Sequence, residues 1–234
     1  CVLEVSSFQL EAAADFRARA AGILNMTPDH LDRYADAEAY YAAKLRIAKN
    51  ARPDDLFFFN AEDERCRAAA AAFPGETVSF SVRRALDAGV FLDGDRLVRA
   101  SAGRRETIMR RGELGVVGTH NVENALAAIA ALSWLDVPAA AICRALAGFR
   151  GLPHRMELVA VLDGVSWYND SKATNVEAAV KSLEGLDAPV VLIAGGHDKG
   201  GDFTKLLAVR DRLVAVITIG EAAPLIEEAL GGRV

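Results

Sequence analysis

The sequence predicts an α/β protein built in two parts. Three observations carry this: short apolar runs of strand length, helical segments between them, and a change of texture at a glycine- and proline-punctuated joint, GFRGLP, at Gly148–Pro153. The joint sets the expected division, with one domain over residues 1–150 and a second over 151–234.

In the first part, Val2–Val5 and Ala21–Met26 are apolar runs bounded by polar residues and read as buried strands. Asp36–Asn50 places Ala37, Tyr40, Tyr41, Lys44, Leu45 and Ala48 at helical spacing, and Pro53 follows. Leu56–Phe59 reads as a strand, Glu62–Ala72 as a helix and Thr77–Phe80 as another strand. Gly89–Ala100 alternates around Asp93-Gly94, a two-residue hairpin signal, and Thr107–Arg110 adds a further strand. His120–Ala147 reads as two helices broken near Asp136–Pro138.

Beyond the joint, Met156–Leu162 and Val165–Tyr168 pair around Asp163-Gly164. Val176–Leu183 is a helix, Pro189–Ala194 a buried strand, Phe203–Leu207 a short helix, Val214–Ile219 another buried strand and Glu221–Leu230 a closing helix. This alternation is that of a parallel sheet, whose ligands sit beyond the carboxyl ends of its strands.

The bulk numbers exclude several classes. A hydrophobic share of 52%, a charged share of 25% and a net charge of −5 describe an ordinary globular chain with no electrostatic footprint for nucleic acid or anionic lipid. Cys1, Cys66 and Cys143 lie far apart without a CxxC, which argues for a reducing compartment and against a disulfide framework or zinc site. The most apolar window, Ala125–Leu135, is alanine-rich and short, a packed helix and not a membrane span. The chain opens without Met in a strand-like run, so a piece of a longer protein is expected.

Two loops follow predicted strands. NDSKATN at Asn169–Asn175 offers far more oxygen acceptors than a helix cap needs, with Lys172 among them. GGHDKGGD at Gly195–Asp202 has the glycines that let main-chain N–H groups approach an anion, and Lys199 adds charge; a flexible strand-to-helix turn is the equal alternative. Glu4 and His30 stand at strand ends where a carboxylate and an imidazole can hold a divalent metal, although on the residues alone each is read more readily as a solvated or structural group. Lys44 lies on a helix face with Tyr40, Tyr41 and Ile47, where it either snorkels to solvent or is made reactive by apolar surroundings. Asn121 and Asn124 are one helical turn apart, as a cap and a solvated face or as readers of a purine edge. Arg155 has the planar fork that suits phosphate, or a place in a hinge-side ion pair.

Taken in order, LEVSSFQLE (Leu3–Glu11), ILNMTPDHLDRY (Ile23–Tyr34), YYAAKLRI (Tyr40–Ile47), GTHNVENALAA (Gly118–Ala128), GLPHRMELV (Gly151–Val159), NDSKATN and GGHDKGGDF (Gly195–Phe203) resemble the Mur ligases, NDSKATN pointing to their D-glutamate-adding members. The resemblance covers essentially the whole chain. It implies part of a central ATPase domain over 1–150, without the family's phosphate loop, followed by part of a Rossmann-like domain that binds the incoming amino acid. It implies ATP and Mg²⁺ as cofactors, with Glu4, His30 and a carbamylated Lys44 around the metal and His30, Lys44 and Lys172 as catalytic residues. Asn121 and Asn124 would meet the adenine, Arg155 and Asp170 the phosphates and ribose, and Ser6, Lys172, Thr174 and Lys199 the substrates. Those substrates would be UDP-N-acetylmuramoyl-L-alanine and D-glutamate, joined through an acyl phosphate by a cytoplasmic monomer that engages neither nucleic acid nor membrane. Two alternatives remain open: an L-glutamate ligase of the folylpolyglutamate-synthase type, and a non-catalytic module binding a nucleotide or amino acid.

Overall fold

The structure, a computed structural model, describes residues 1–27, 33–186, 188–198 and 200–231. Its elements form two compact units, one of Cys1–Leu114 with Val122–Ala147, the other of Gly115–Asn121 with Gly148–Val234.

The first unit is built on a six-stranded sheet in sequence order: β1 (Ala20–Ile23), β2 (Leu56–Asn60), β3 (Glu76–Ser81), β4 (Gly89–Asp93), β5 (Arg96–Ser101) and β6 (Arg104–Arg110). β1 through β4 pair in parallel, and the chain then doubles back through two antiparallel pairings. Asp93-Gly94 closes the β4–β5 hairpin as its sequence requires.

Alternating residues of β2 serve two cores. Phe57 packs among Ile23, Tyr40, Tyr41 and Cys66 with α2 (Ala37–Leu45) and α3 (Glu64–Ala71). Phe58 instead faces the cluster of Phe80, Leu97, Leu126, Ile129 and Ile142, supplied on the helical side by α4 (Thr119–Trp134) and α5 (Ala139–Gly148). Helices thus cover both faces, as a parallel sheet demands. Asp55, wholly buried at the start of β2, is held by both arms of the Arg17 fork, at 2.8 and 2.7 Å. Trp134 ends α4 with its indole N–H on the Glu76 carboxylate at 2.9 Å.

The run Val2–Val5, expected as a buried strand, is neither: it has no ladder partner among the described residues, and Val2 and Leu3 are exposed. A strand exists only where another pairs with it, and apolar composition alone does not supply one. The short helix α1 (Ser7–Ala12) follows, and Ser6 and Gln9 close a reciprocal capping box at its start.

The second unit holds a hairpin of β7 (Glu157–Leu162) and β8 (Val165–Asn169), the helices α6 (Val176–Glu184) and α7 (Ala223–Leu230), and a parallel pair, β9 (Val190–Gly195) with β10 (Leu213–Ile219). Phe203–Arg212 is 3₁₀-helical throughout. Leu183, Leu206, Val209 and Ile226 form its core against one face of β9 and β10. These two strands alternate between packed and exposed residues, where burial on both faces was expected: Val191, Ile193, Ile217 and Ile219 each keep about half their surface in solvent. Among the described residues the helices lie on one face of this pair only. Trp167, on β8, is likewise about half exposed.

Candidate functional site

The joint ends in a tight knot. Arg155 N–H donates to the Leu152 carbonyl at 3.2 Å, closing a turn over Pro153-His154. His154 and Met156, which flank Arg155, both adopt left-handed backbone, with φ of +64° and +45°. Residues with side chains avoid this region, so something must hold them there. The clamp comes from the segment that follows β8. Met156 N–H donates to Asp170 Oδ1 at 2.9 Å, Lys172 N–H donates to the His154 carbonyl at 2.9 Å, and His154 Nδ1 lies 2.9 Å from Asn169 Nδ2. Asp170 and Lys172 also order their own turn, through Ala173 N–H on the Asp170 carbonyl and Thr174 N–H on that of Lys172. Asn175 then caps α6 by accepting from Ala178 N–H at 2.7 Å.

Arg155, Asp170, Lys172 and Thr174 are therefore brought together by main-chain geometry. The Arg155 guanidinium and the Lys172 ammonium are exposed, and neither is ion-paired among the described residues. Two adjoining turns that present one cation each suit an anion, because a planar fork and a flexible ammonium together can engage phosphate or carboxylate oxygens.

His120 belongs to the same unit. Its ring sits against Gly118 and Gly185, where a Cβ at Gly118 would lie 2.8 Å from the imidazole. Burial holds its pKa below the ordinary histidine value, with Arg155 pushing the same way and Asp170 opposing. Asn121, next along α4, donates from its side chain to the Val117 carbonyl at 2.7 Å. Asn124 lies one turn on, with its residue exposed.

Among its described residues the glycine-rich loop hydrogen-bonds to itself, as the turn alternative of its two readings allows. Asp198 Oδ1 accepts the N–H groups of Gly200 and Gly201 at 2.9 and 3.3 Å, and Asp202 caps the turn at Thr204. His197 Nδ1 lies 2.5 Å from the Glu221 carboxylate. A shallow hollow of about 550 Å³ beside the loop is lined by Asp198, Asp202, Phe203, Leu225 and Glu228. Lys199 lies outside the described residues, as does His30.

In the first unit the expected residues are more scattered in role. Ser6 caps α1: its Oγ takes Gln9 N–H and donates to Gln9 Oε1, which leaves one acceptor lone pair. Glu4 is exposed in non-regular chain. Lys44 is half-buried, its ammonium 5.1 Å from the centre of the Tyr40 ring, in an aromatic ladder that runs from Phe8 through Tyr34 and Tyr40 to Tyr41. No group of three His, Cys, Asp or Glu side chains among the described residues could hold a metal ion.

Sequence reasoning passed over His120, and it read His154 only with Arg155 as a hinge-side ion pair and Asn169 only as one of its loop's oxygen acceptors. The only available signals were the position of Asn169 at a strand end and the GTHN run containing His120.

Comparison with known proteins extends this picture. The Mur ligase middle domain family matches residues 1–132, and the Mur ligase glutamate ligase domain family matches residues 154–233. The chain is 42% identical over 229 residues to UDP-N-acetylmuramoylalanine–D-glutamate ligase of Pelotomaculum thermopropionicum, covering 97% of this chain and 50% of that protein. It is 45% identical over 232 residues to the ligase of the same name from Syntrophotalea carbinolica, covering 99% of this chain and 51% of that protein. The chain thus spans about half the length of the curated relatives it matches. Among solved structures it is similar in fold to UDP-N-acetylmuramate-alanine ligase MurC from Thermotoga maritima, with a TM-score of 0.69 at 22% identity, over 97% of this chain and 51% of that one. A pseudomurein peptide ligase type C from Methanothermus fervidus shares the fold at a TM-score of 0.70 and 16% identity, over 96% of this chain and 53% of that one.

Proposed function

The chain belongs to the Mur ligase family, and on that premise we propose that the protein containing it adds D-glutamate to UDP-N-acetylmuramoyl-L-alanine at the expense of ATP, in the assembly of a peptidoglycan precursor. The observation that carries the reading is the knot at Arg155: two cations, Arg155 and Lys172, unpaired among the described residues and carried with the Asp170 carboxylate on two turns that hydrogen-bond to each other.

Amide formation from a carboxylate requires that the carboxylate first become electrophilic. A carboxylate oxygen of the alanyl end attacks the γ-phosphorus of ATP, ADP leaves, and an acyl phosphate forms. The amine of D-glutamate then attacks the acyl carbon, a proton is lost from nitrogen, and the tetrahedral intermediate expels phosphate. Each step crowds anions, so cations must screen them. Arg155 offers its fork to the phosphates. Asp170 spends Oδ1 on Met156 N–H and keeps Oδ2 for a ribose hydroxyl. Lys172, Thr174 and Lys199 take the glutamate carboxylates, Asn121 and Asn124 the adenine, and Ser6 the nucleotide substrate. Glu4, His30 and a carbamylated Lys44 would hold Mg²⁺, which neutralises phosphate charge when bound.

On this reading the division at residues 150 and 151 separates an ATP-handling part from an amino-acid-binding part. The protein works in the cytoplasm as a monomer, without nucleic acid or membrane partners. No helix among the described residues is long and apolar enough to cross a membrane.

The test is phosphate release by the full-length protein from ATP and UDP-N-acetylmuramoyl-L-alanine, with D-glutamate, L-glutamate or no amino acid. Turnover that needs the nucleotide substrate and D-glutamate is expected. Turnover with L-glutamate alone would replace the substrate, and ligand binding without turnover would replace the function by that of a binding module.

A further inference from the structure

The contact between His154 and Asn169 joins two nitrogens, Nδ1 and Nδ2, at 2.9 Å. The orientation of the amide is fixed by its other end, because Asn169 Oδ1 accepts Ser171 N–H at 3.1 Å. Turning the amide over would set an NH₂ group against that N–H. Nδ2 therefore faces the imidazole, and an amide nitrogen only donates. It follows that His154 Nδ1 accepts, the ring is neutral, and its proton sits on Nε2.

His197 makes the opposite arrangement. Its Nδ1 faces the Glu221 carboxylate, an acceptor, and so carries the proton. The charged groups around His154 do not by themselves dictate its state. Glu157 Oε2 lies 3.7 Å from Nδ1 but already takes the main-chain N–H of His154 at 2.8 Å. Arg155 is the next residue, and the segment packed against His154 brings Asp170 and Lys172. Left to Glu157 alone, Nδ1 would be the protonated nitrogen. Asn169 is nearer, and it offers a donor.

We propose that Asn169 is a positioning residue: by donating to Nδ1 it holds His154 as the neutral Nε2–H tautomer and presents that N–H, beside Arg155, to a phosphate oxygen of the bound nucleotide or acyl phosphate. The identity of the ligand rests on the ligase reading above; the tautomer does not. A neutral donor adds a hydrogen bond to the phosphate that does not depend on taking up a proton.

The test uses the protein labelled with ¹⁵N-histidine, whose imidazole nitrogens report protonation directly. The His154 signals are assigned by their loss in His154→Gln. In the unaltered protein Nδ1 is expected to show a pyridine-type shift and Nε2 a pyrrole-type shift. Asn169→Asp replaces the donor by an acceptor and is expected to exchange the two. Asn169→Ala removes the contact and is expected to give a mixture of tautomers, with an unchanged circular dichroism spectrum as the folding control. In the full-length protein both variants are expected to lose about tenfold in kcat/KM for ATP, the loss of one hydrogen bond's worth of positioning. A protonated Nδ1 in the unaltered protein, or His154 signals indifferent to Asn169→Asp, would overturn the proposal. The expected tautomers with no ligase turnover by the unaltered protein would leave Asn169 its role on the ring and overturn the phosphate as its target.

Discussion

The main-chain N–H of Lys172 donates to the carbonyl oxygen of His154 at 2.9 Å, so the residue just after the joint and a residue past the β8 strand end share one hydrogen bond. Together with Asp170 on Met156 N–H, it keeps Arg155 between two left-handed neighbours. The backbone that carries the Arg155 side chain thus has little freedom to relax.

Met156 is where that restraint is most readily measured. A left-handed residue with a side chain carries about 1–2 kcal/mol of strain, which glycine avoids at a cost of about 0.5–1 kcal/mol in chain entropy. Met156→Gly is therefore expected to stay within about 1 kcal/mol of the unaltered protein in urea unfolding. Met156→Val, β-branched, is expected to lose about 2 kcal/mol and to weaken nucleotide binding in the full-length enzyme.

Gly195 ends β9 with φ of +150°, and a Cβ there would lie 1.8 Å from the Ile219 carbonyl oxygen. Gly195→Ala should therefore push β9 and β10 apart at their carboxyl ends. A loss of at least about 2 kcal/mol is expected, read by denaturant melts, with faster hydrogen exchange at Gly196 N–H, which donates to that same carbonyl.

Asp55 gives a pH dependence with a definite sign. The Arg17 guanidinium, aided by Arg52 N–H, holds its carboxyl below the usual carboxylate range against the opposing effect of burial. A depressed folded-state pKa gives stability that is complete above the unfolded value of about 3.9 and disappears as pH falls through the folded value. Thermal melts are expected to drop below about pH 4. Asp55→Asn is expected to cost about 3 kcal/mol at neutral pH and to flatten that acid limb, since Arg17 loses its buried charge partner and keeps only the exposed Asp54.

Lys44 supplies a chemical test. Carbamylation joins CO₂ to a neutral amine and releases a proton, turning a cation into an anionic oxygen ligand. In CO₂-depleted buffer the full-length enzyme is expected to lose activity, and bicarbonate is expected to restore it. Unchanged rates, with no added mass on the Lys44 peptide by native mass spectrometry, would remove the carbamate from the reading.

Where the chain announces its own local chemistry, sequence and structure agree. Asp93-Gly94 and Asp163-Gly164 fix their hairpins, because each depends only on neighbours in sequence. Pairing is different. Val2–Val5 is apolar enough for a strand but has none beside it among the described residues, and the open face of β9 and β10 depends on which helices pack where. The grouping of Gly115–Asn121 with the second unit is also a long-range matter that no local pattern encodes. The site divides the same way. Arg155, Asp170 and Lys172 were legible as residue types in a suggestive order, whereas the left-handed turns at His154 and Met156, and the hydrogen bonds that hold them, arise only when two distant segments meet.

The two tryptophans of the chain fall one to each unit: Trp134 on the Glu76 carboxylate in the first, and Trp167 half in water on β8 in the second. Each unit therefore carries its own intrinsic fluorophore, in an environment unlike the other's. Replacing either by phenylalanine leaves a single emitter whose quenching and melting report one half of the molecule. Whether the halves unfold in one transition or in two is then written in the protein's own light, with no label attached.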